Sequence, residues 1–381
     1  MKRTYRIAQI DGDGIGPEVT RAARSVLEAV ERQYGLFRLE FEKLEAGAEL
    51  YRRTGVALPD EVFESCASAD AILLGAVGLP DVRLADGTEV QGEVMFRLRF
   101  DLDLYAGERP IRHFHGSPSP LLPEIARDID YVIVRENVEG LYASRGGGCV
   151  VRNHVATDTV VITREGTEKV CRYAFELALR RQRPDRPPRV TCVDKSNVLR
   201  SYAFFRQVFE DVAKAYPDVR ADFAYVDAMS LWLVQRPGEY DVLVTENMFG
   251  DILSDLGAAT VGGMGLAPSA DVGERHGLFQ PSHGTAPDIA GKGVANPLAT
   301  ILSGAMMLEW LGQKHGDGSL VEAGDAVSKS VARVIRKGTV TPDLGGTAKT
   351  EMVVEAVIAA VEEGSFSSAT PPGDGGVQGV V

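Results

Sequence analysis

The chain is poor in cysteine and tryptophan. Of its 381 residues, four are cysteine and two are tryptophan. The cysteines are Cys66, Cys149, Cys171 and Cys192. They form no CxxC pair and have no metal-ligand spacing, which indicates reduced structural thiols. A disulfide-stapled scaffold and a cysteine-ligated zinc site are therefore both excluded.

Positive charge and long apolar runs are also scarce. Lysine and arginine total 41 against 54 acidic residues, a net charge of −13. Nucleic acid and anionic membranes need a basic surface, so neither is expected as a partner. No apolar stretch approaches the roughly 20 residues of a membrane span, and the start lacks a cleavable signal pattern. We expect a cytoplasmic protein, in which a few arginines can still form a local pocket for an acidic small molecule.

Strand and helix patterns alternate along the chain. Buried strands are predicted from the apolar runs at 5–10, 71–77, 190–193 and 240–245. Helices are predicted from helical periodicity at about 165–180, 201–215, 300–311, 323–337 and 352–362. This alternation, without an internal repeat, predicts an α/β fold. The stretch 364–381 is rich in serine, glycine and proline and is predicted to be a disordered tail.

A glycine-rich loop follows the first predicted strand. Gly12, Gly14 and Gly16 precede Pro17, a favourable first helical residue. The spacing is GxGxG rather than the GxGxxG of a dinucleotide fingerprint, and no well-placed acidic residue on a second strand supports such a site. A structural turn is favoured, with a phosphate loop as the alternative.

Residues 244–297 contain the densest set of chemically informative side chains. A helix is expected after the strand at 240–245, with Asp251 and Asp255 four residues apart on one face. Like charges placed this way repel, so a positive partner is expected between them. Hard carboxylate oxygens suit Mg²⁺ or Mn²⁺. The alternative is a solvated helix face, which the apolar residues in the same turns disfavour.

Several basic and hydroxyl side chains follow or close predicted strands. Arg99, Arg109 and Arg135 could together capture the two carboxylates of a diacid, because guanidinium groups bind carboxylates in a bidentate manner. Lys195 closes an apolar strand among polar turn residues, where it is either a general base or a solvated lysine. From its own surroundings, Tyr142 is most simply a packing residue.

Two motifs carry a specific resemblance to a known family. The runs GDILSDL (250–256) and SHGTAPDIAGKGVANP (282–297) resemble the β-decarboxylating dehydrogenases of the isocitrate/isopropylmalate dehydrogenase family. The patterns LRxxxDLxxxxRP (98–110) and VRENxEGxY (134–142) agree with it, and the match extends from about residue 6 to 361. These enzymes oxidise a 2-hydroxy diacid and release its β-carboxylate as carbon dioxide. The nearest type is the isopropylmalate branch.

The resemblance implies a two-domain architecture. The expected fold is isopropylmalate dehydrogenase-like, with an open mixed sheet, and it is not a Rossmann fold. The first domain would comprise residues 1–110 and 263–363, and the second residues 111–262. A β-prone segment at 155–163, within an arm near 143–165, would hold a homodimer together. Each active site would then use groups from both subunits.

The resemblance also implies a role for each site residue. Lys195 of the partner subunit would be the base, with Asp227 beside it, and Tyr142 would donate a proton. Arg99, Arg109 and Arg135 would bind the malate moiety. The expected metal ligands, for Mg²⁺ or Mn²⁺, are Asp227, Asp251 and Asp255. The expected contacts to NAD are His283, Gly284, Thr285, Ala286, Asp288, Ile289 and Asn296.

The group on C3 of the substrate is less constrained. Glu93 and Met95 stand where the isocitrate branch has serine and asparagine, and Phe96 follows. A negative or apolar wall there disfavours a third carboxylate, so 3-isopropylmalate is the expected substrate. The run 135–142, however, is closer to homoisocitrate, tartrate or D-malate enzymes, and Gly107 stands where the family commonly has asparagine. Another 3-substituted malate is therefore the alternative.

Two functions of other classes fit parts of the sequence. A non-catalytic regulatory subunit is disfavoured because every expected catalytic position is intact. A phosphate-binding transferase would leave the three arginines and Lys195 unexplained.

Overall fold

A ten-stranded sheet runs through the protein, with helices on its faces and a separate two-stranded ribbon. The computed structural model describes residues 2–184 and 186–364. The strands in those ranges are β1 (Arg3–Ile10), β2 (Phe37–Leu44), β3 (Ala71–Leu74), β4 (Ala106–Arg112), β5 (Asp130–Glu136), β6 (Cys149–Val151), β7 (Val155–Thr157), β8 (Arg189–Asp194), β9 (Arg220–Tyr225), β10 (Val242–Thr245), β11 (Pro268–Val272) and β12 (Gly277–Pro281). The helices are α1 (Gly16–Tyr34), α2 (Ala48–Thr54), α3 (Asp60–Ser68), α4 (Gln91–Asp101), α5 (Pro123–Ala126), α6 (Arg164–Arg180), α7 (Arg200–Ala213), α8 (Val226–Gln235), α9 (Asn247–Thr260), α10 (Leu298–His315), α11 (Gly318–Arg336) and α12 (Thr350–Gly364).

The large sheet is mixed, in the order β2-β1-β3-β12-β11-β4-β5-β10-β8-β9. The four strands at one end are parallel to one another, and so are the four at the other end. The three central pairings, β12 with β11, β11 with β4 and β4 with β5, are antiparallel. The predicted α/β class with an open mixed sheet is confirmed. The division into two domains stays a prediction.

Burial explains why the apolar runs became the inner parallel strands. Every residue of β3 and β10 is buried, as expected for a parallel strand covered by helices on both faces. In α1 the apolar residues with helical spacing are likewise buried, among them Val19, Ala23 and Val26. The pattern of apolar and polar residues therefore predicted these elements correctly.

Two predicted strands are longer than the observed ones. The run at 71–77 forms a strand only as far as Leu74, and the run at 240–245 begins pairing at Val242. The Gly75 amide still donates to the Ile10 carbonyl of β1 at 2.8 Å, and a Cβ there would lie 2.1 Å from the Asp11 carbonyl oxygen. The chain after β3 therefore runs in close contact with the segment that follows β1.

The glycine-rich loop before α1 packs against the backbone of two other segments. Gly12 and Gly14 have φ values of +75° and +58°, which glycine adopts without steric cost. A Cβ on Gly12 would lie 2.0 Å from the Ala76 carbonyl oxygen, and one on Gly14 would lie 2.2 Å from that of Thr285. The Ile15 amide donates to the same Thr285 oxygen at 2.8 Å. These contacts support the structural interpretation of the loop.

The predicted arm is a short antiparallel ribbon of β6 and β7. Arg152 and Asn153 turn the chain with φ values of +49° and +56°. The ribbon lies within the arm expected near 143–165, but β7 ends at Thr157, short of the β-prone segment's end at 163, and its partner strand comes from residues 149–151 of the glycine-rich stretch. Val150 is 69% exposed and Val155 is 52% exposed, so the ribbon is not covered within one chain.

Two further points concern membrane-spanning helices and the C-terminal tail. Within residues 2–184 and 186–364, no helix combines the length and apolar character needed to cross a membrane. Gly364 ends α12. The disorder predicted for the tail otherwise falls on residues 365–381, which lie outside the described residues.

Candidate active site

A cleft of about 510 Å³ opens beside the antiparallel centre of the sheet. Side chains from α4, β4, β5, α9 and the loop after β12 line it. The predicted site residues found in its wall are Met95, Phe96, Arg99, Arg109, Arg135, Tyr142, Asp251, Asp255 and His283. Lys195, Asp227 and the other predicted cofactor contacts lie outside this lining.

Asp271, on β11, links two of the three arginines. It is fully buried, and its carboxylate accepts hydrogen bonds from Arg99 Nε at 3.0 Å and from Arg109 Nη2 at 3.1 Å. The side-chain amides of Asn137 and Gln280 also donate to it, at 2.8 and 3.1 Å. The antiparallel register places these groups on one face of the sheet, because side chains alternate between faces along each strand.

The neighbours of Asp271 keep it ionised. Burial by itself would raise the pKa of the carboxyl, but the Arg99 and Arg109 guanidinium groups outweigh it and lower the pKa to about 2.

Arg109 has one guanidinium nitrogen that Asp271 does not occupy. Its Nη1 atom is buried without a hydrogen-bond partner in the described chain, so it is available to a ligand carboxylate.

Arg135, at the end of β5, is tied to α9. Its Nε donates to Asn247 Oδ1 at 2.9 Å, and its Nη1 pairs with the Asp251 carboxylate. Burial, followed by the charge of Arg99, lowers the pKa of Arg135 to about 10. It therefore stays cationic at neutral pH, and all three arginines present positive charge to the cleft.

Tyr142 lies in the cleft beside Asp251 and Arg135. Its hydroxyl donates to Asp251 Oδ2 at 3.2 Å, and the Arg135 guanidinium lies 5.6 Å from its ring centroid. Burial and then the Asp251 charge raise the pKa of Tyr142. The phenol is therefore protonated at neutral pH.

Asp251 and Asp255 lie on the cleft side of α9, one turn apart. Burial and then the Asp251 charge raise the pKa of Asp255, and Asp255 forms no ion pair within the described chain. A divalent cation fits these hard oxygen donors and would relieve their repulsion. Within the described residues, no three His, Cys, Asp or Glu side chains group closely enough to hold a metal ion. One chain thus offers two carboxylates of the expected three.

Lys195 and Asp227 form a pair at the surface. Lys195 follows β8, and its Nζ donates to the Asp227 carboxylate in the first turn of α8. This hydrogen bond lowers the pKa of Asp227, whose side chain is 66% exposed. Val198 and Leu231, close to them in the chain, are also exposed. The pair and its apolar surroundings have no cover within one chain.

One wall of the cleft differs from expectation. Met95 and Phe96 line it, but Glu93 does not, because Glu93 Oε1 is paired with Arg145 Nη2 at 2.8 Å. Arg145 itself lines the cleft and lies 4.4 Å from the Phe96 ring centroid. Gly92 leaves space for it, since a Cβ there would be 2.2 Å from Arg145 Nη1. Of the negative or apolar wall that was expected, Met95 and Phe96 give the apolar part, whereas the charge of Glu93 is paired and the guanidinium group of Arg145 lies in the wall.

Gly107, the departure from the family pattern, has a local explanation. A Cβ at this position would lie 2.8 Å from both the nitrogen and the oxygen of the Asn137 side-chain amide. Asn137 thus occupies the space that a larger residue at 107 would need, and its amide donates to Asp271.

The predicted cofactor loop lies between β12 and α10. His283 is partly enclosed beside the cleft. Its Nδ1 is 2.9 Å from the Gly284 carbonyl oxygen, and its Nε2 has no hydrogen-bond partner among the described residues. Burial lowers the pKa of His283, so the ring is neutral at neutral pH. A Cβ on Gly284 would meet nothing within 4 Å. The loop therefore offers an unsatisfied ring nitrogen and free space to a ligand.

The other residues of this loop divide into packed and open positions. Thr285 is buried, and Ala286 and Ile289 pack against Ile15. Asn296 is already satisfied, because its amide donates to Asp343 at 2.9 Å and its oxygen accepts from a backbone amide. Asp288 is exposed and forms no ion pair within the described chain. The carboxylate of Asp288 is therefore open to a ligand.

Three contributors were missed from the sequence. Asp271 and Gln280 sit in short apolar strands, and a lone charged residue in such a strand is a signal that could have revealed Asp271. Arg145 lies in a glycine-rich loop and gave no local signal.

Known proteins match both the sequence and the fold. The chain matches the family described as isocitrate/isopropylmalate dehydrogenase over residues 6–357. It belongs to that family, the β-decarboxylating dehydrogenases, which confirms the resemblance found in the motifs.

Individual relatives span nearly the whole chain. The 3-isopropylmalate/3-methylmalate dehydrogenase of Methanocaldococcus jannaschii is 44% identical, over 94% of this chain and 99% of its own. The decarboxylating D-malate dehydrogenase of Escherichia coli is 42% identical, over 94% and 98%. The crystal structure of isocitrate dehydrogenase from Methylococcus capsulatus has a TM-score of 0.82 at 37% identity, covering 94% of this chain and 99% of that one.

We expect Asp271→Asn to lower the thermal midpoint strongly. Two buried guanidinium groups would lose their counter-charge, a loss of about 3–5 kcal/mol. The carboxylate's pKa is lowered to about 2, so its contribution is complete above its unfolded pKa of about 3.9 and is lost as the pH falls toward 2. The difference in thermal midpoint between the variant and wild type should be constant between about pH 5 and 8 and shrink only in acid. Asp288→Asn, at an exposed carboxylate, is the control. A wild-type midpoint for Asp271→Asn would contradict the role of this ion pair.

Proposed function

We propose that the chain catalyses the NAD- and divalent-metal-dependent oxidative decarboxylation of a 3-substituted malate in the cytoplasm. The leading candidate is the conversion of 3-isopropylmalate to 2-oxoisocaproate. The wall of three buried arginines facing the Asp251–Asp255 pair carries this proposal. Guanidinium groups for two carboxylates and a carboxylate pair for a cation match a 2-hydroxy diacid. The names of the relatives agree with it.

Each side chain then has a chemical task. Arg99, Arg109 and Arg135 bind the two malate carboxylates and orient the C2–C3 bond. Mg²⁺ or Mn²⁺, held by Asp251 and Asp255, would supply Lewis-acid chemistry at the hydroxyl and carboxylate oxygens. Bound NAD would accept the hydride from C2. Tyr142, protonated at neutral pH, delivers a proton to C3 once carbon dioxide has left.

The missing base and the third carboxylate would come from a second chain. Lys195 and Asp227 lie outside the cleft of their own chain, on an exposed surface with apolar neighbours. A homodimer that covers this surface and the β6–β7 ribbon would bring Lys195 of the partner subunit to the substrate hydroxyl. Asp227 of the partner subunit would complete the cation site. This accounts for the absence of a three-ligand group within the described chain.

The preference for NAD rests on Asp288. An exposed carboxylate accepts hydrogen bonds from the free 2′-hydroxyl group of the adenosine ribose and repels a 2′-phosphate. Asp288 forms no ion pair within the described chain, so its charge is not neutralised there.

A second candidate substrate is favoured by Arg145. Its guanidinium lines the cleft next to Phe96, where the C3 substituent would lie. A donor there suits a substituent that carries oxygen, as in homoisocitrate or tartrate. The apolar faces of Met95 and Phe96 instead suit an isopropyl group.

A substrate panel tests the proposed reaction. In the presence of Mn²⁺ we expect NAD reduction with at least one of 3-isopropylmalate, D-malate, tartrate and homoisocitrate. The absorbance of the reduced nicotinamide measures the reaction. Chelation should abolish activity and re-added Mn²⁺ should restore it, because the carboxylate pair needs its cation. Asp288→Lys should erode the preference for NAD. Full activity after exhaustive EDTA treatment would exclude the metal, and better turnover with NADP would contradict the cofactor assignment.

A pair of variants separates the two candidate substrates. Arg145→Met should lower kcat/KM for oxygen-bearing C3 substituents by about 10–100-fold, the range of one lost charge-assisted hydrogen bond. It should leave 3-isopropylmalate nearly unaffected. Met95→Ser is the complementary control and should weaken 3-isopropylmalate more than D-malate. Equal losses for all substrates in both variants would mean that this wall does not contact the C3 group.

Subunit exchange tests the shared site. Lys195→Met and Asp251→Asn should each be inactive, but in a mixed dimer one site receives both lesions and the other receives neither. Random mixing makes half of the dimers hybrid, so activity should return to about a quarter of wild type under two-fold symmetry. The control is each variant mixed with itself. If hybrids form and stay inactive, each site is contained in one chain.

A further inference from the structure

A second groove lies between the segment that follows β4 and helix α11. It encloses about 1030 Å³ and shares no lining residue with the active-site cleft. Its charged wall consists of the cations Arg112, Arg127, Lys329, Arg333 and Arg336, with Glu124 as the acidic residue. His113 and His115 also line it.

The concentration of cations runs against the charge of the whole chain, which is −13. Within the described residues, Arg112 and Arg336 form no ion pair. Arg333 pairs with Glu363 at 3.3 Å, Lys329 with Asp325 at 2.5 Å and Arg127 with Asp128 at 3.7 Å, all three being carboxylates outside the lining of the groove. The uncompensated positive charge of the groove is therefore that of Arg112 and Arg336, which an anion bound there would neutralise.

The dipole of α11 explains only part of this cluster of cations. Cations in the last turns of α11 interact favourably with the helix dipole, which would account for Arg333 and Arg336. Arg112, at the end of β4, and Arg127, just after α5, face the same groove from separate elements. Arg127 is itself the C-cap residue of the short helix α5, so Arg112 is the cation that no helix end explains.

The groove is part of the packed structure. Gly116, at a φ of +99°, sits against the end of α11, where a Cβ would lie 3.2 Å from the Ile335 carbonyl oxygen. The Ser117 hydroxyl donates to the Phe114 carbonyl at 2.8 Å and fixes the turn of this segment. The two walls therefore keep a defined separation.

We propose that this groove binds a small molecule through a triphosphate chain, a role outside the proposed dehydrogenase reaction. Guanidinium groups bind phosphate oxygens in a bidentate manner, and several of them suit an anion of several charges. The volume is near the upper end of small-molecule sites, about 300–1000 Å³. Phe114, the phenyl ring in the lining, is 5% exposed and cannot stack on a base. We assign recognition to contacts between the arginines and the phosphates, and none to a base.

Isothermal titration calorimetry of the full chain, without added divalent cation, tests the site. Sodium tripolyphosphate and ATP are titrated separately, and both should bind with similar affinity that weakens as salt is raised. The double variant Arg112→Glu/Arg336→Glu should weaken both at least tenfold. Lys337→Glu, a single charge reversal at an exposed residue next to α11 but outside the groove, should leave both affinities unchanged. Dehydrogenase activity without anion should equal wild type in all these variants.

Other outcomes would overturn the proposal. Absence of binding at millimolar tripolyphosphate excludes the site. Binding of ATP without tripolyphosphate would mean that the base is recognised. Binding that is lost in Arg109→Gln would assign the anion to the active-site cleft. If the double variant does not fold, the single variants Arg112→Gln and Arg336→Gln replace it in the titration. An unchanged affinity for tripolyphosphate in both excludes the groove.

Discussion

The buried contact of Asp271 with two arginines is the constraint on which the site depends. An unpaired guanidinium group in a protein interior is strongly unfavourable, so Arg99 and Arg109 can lie in the cleft wall only with a fixed anion beside them. The β11–β12 hairpin supplies that anion and, through Gln280, a further donor. The polar centre of the sheet thus serves binding, while its parallel ends form apolar core.

Local patterns were sufficient for the elements that carry most of the chemistry. The four-residue spacing of Asp251 and Asp255 places both on one face of α9 wherever that helix packs. Arg135 follows a strongly apolar strand, so its position at a strand end could be inferred. These are properties of a few consecutive residues, and the same reasoning identified the α/β class.

Contacts between distant segments could not be inferred in this way. Asp271 and Arg109 are 162 residues apart, and their pairing depends on the register of β11 against β4, which no local pattern specifies. Arg145 reaches the cleft only because Gly92 leaves room for it. The pairing of β6 with β7 was obscured because one strand lies in a glycine-rich stretch. In each case tertiary packing, rather than local preference, decides the structure.

The order of the strands has a consequence for biosynthesis. β3 and β4 are separated in the sheet by β12 and β11, yet these two strands come from residues 268–281, late in the chain. A nascent chain that ends before them has two half-sheets with open inner edges, and such edges readily pair with other chains. Its Arg99 and Arg109 also lack their counter-charge. Completion of the sheet must therefore wait until most of the protein has left the ribosome, and the two halves become one cooperative unit only then.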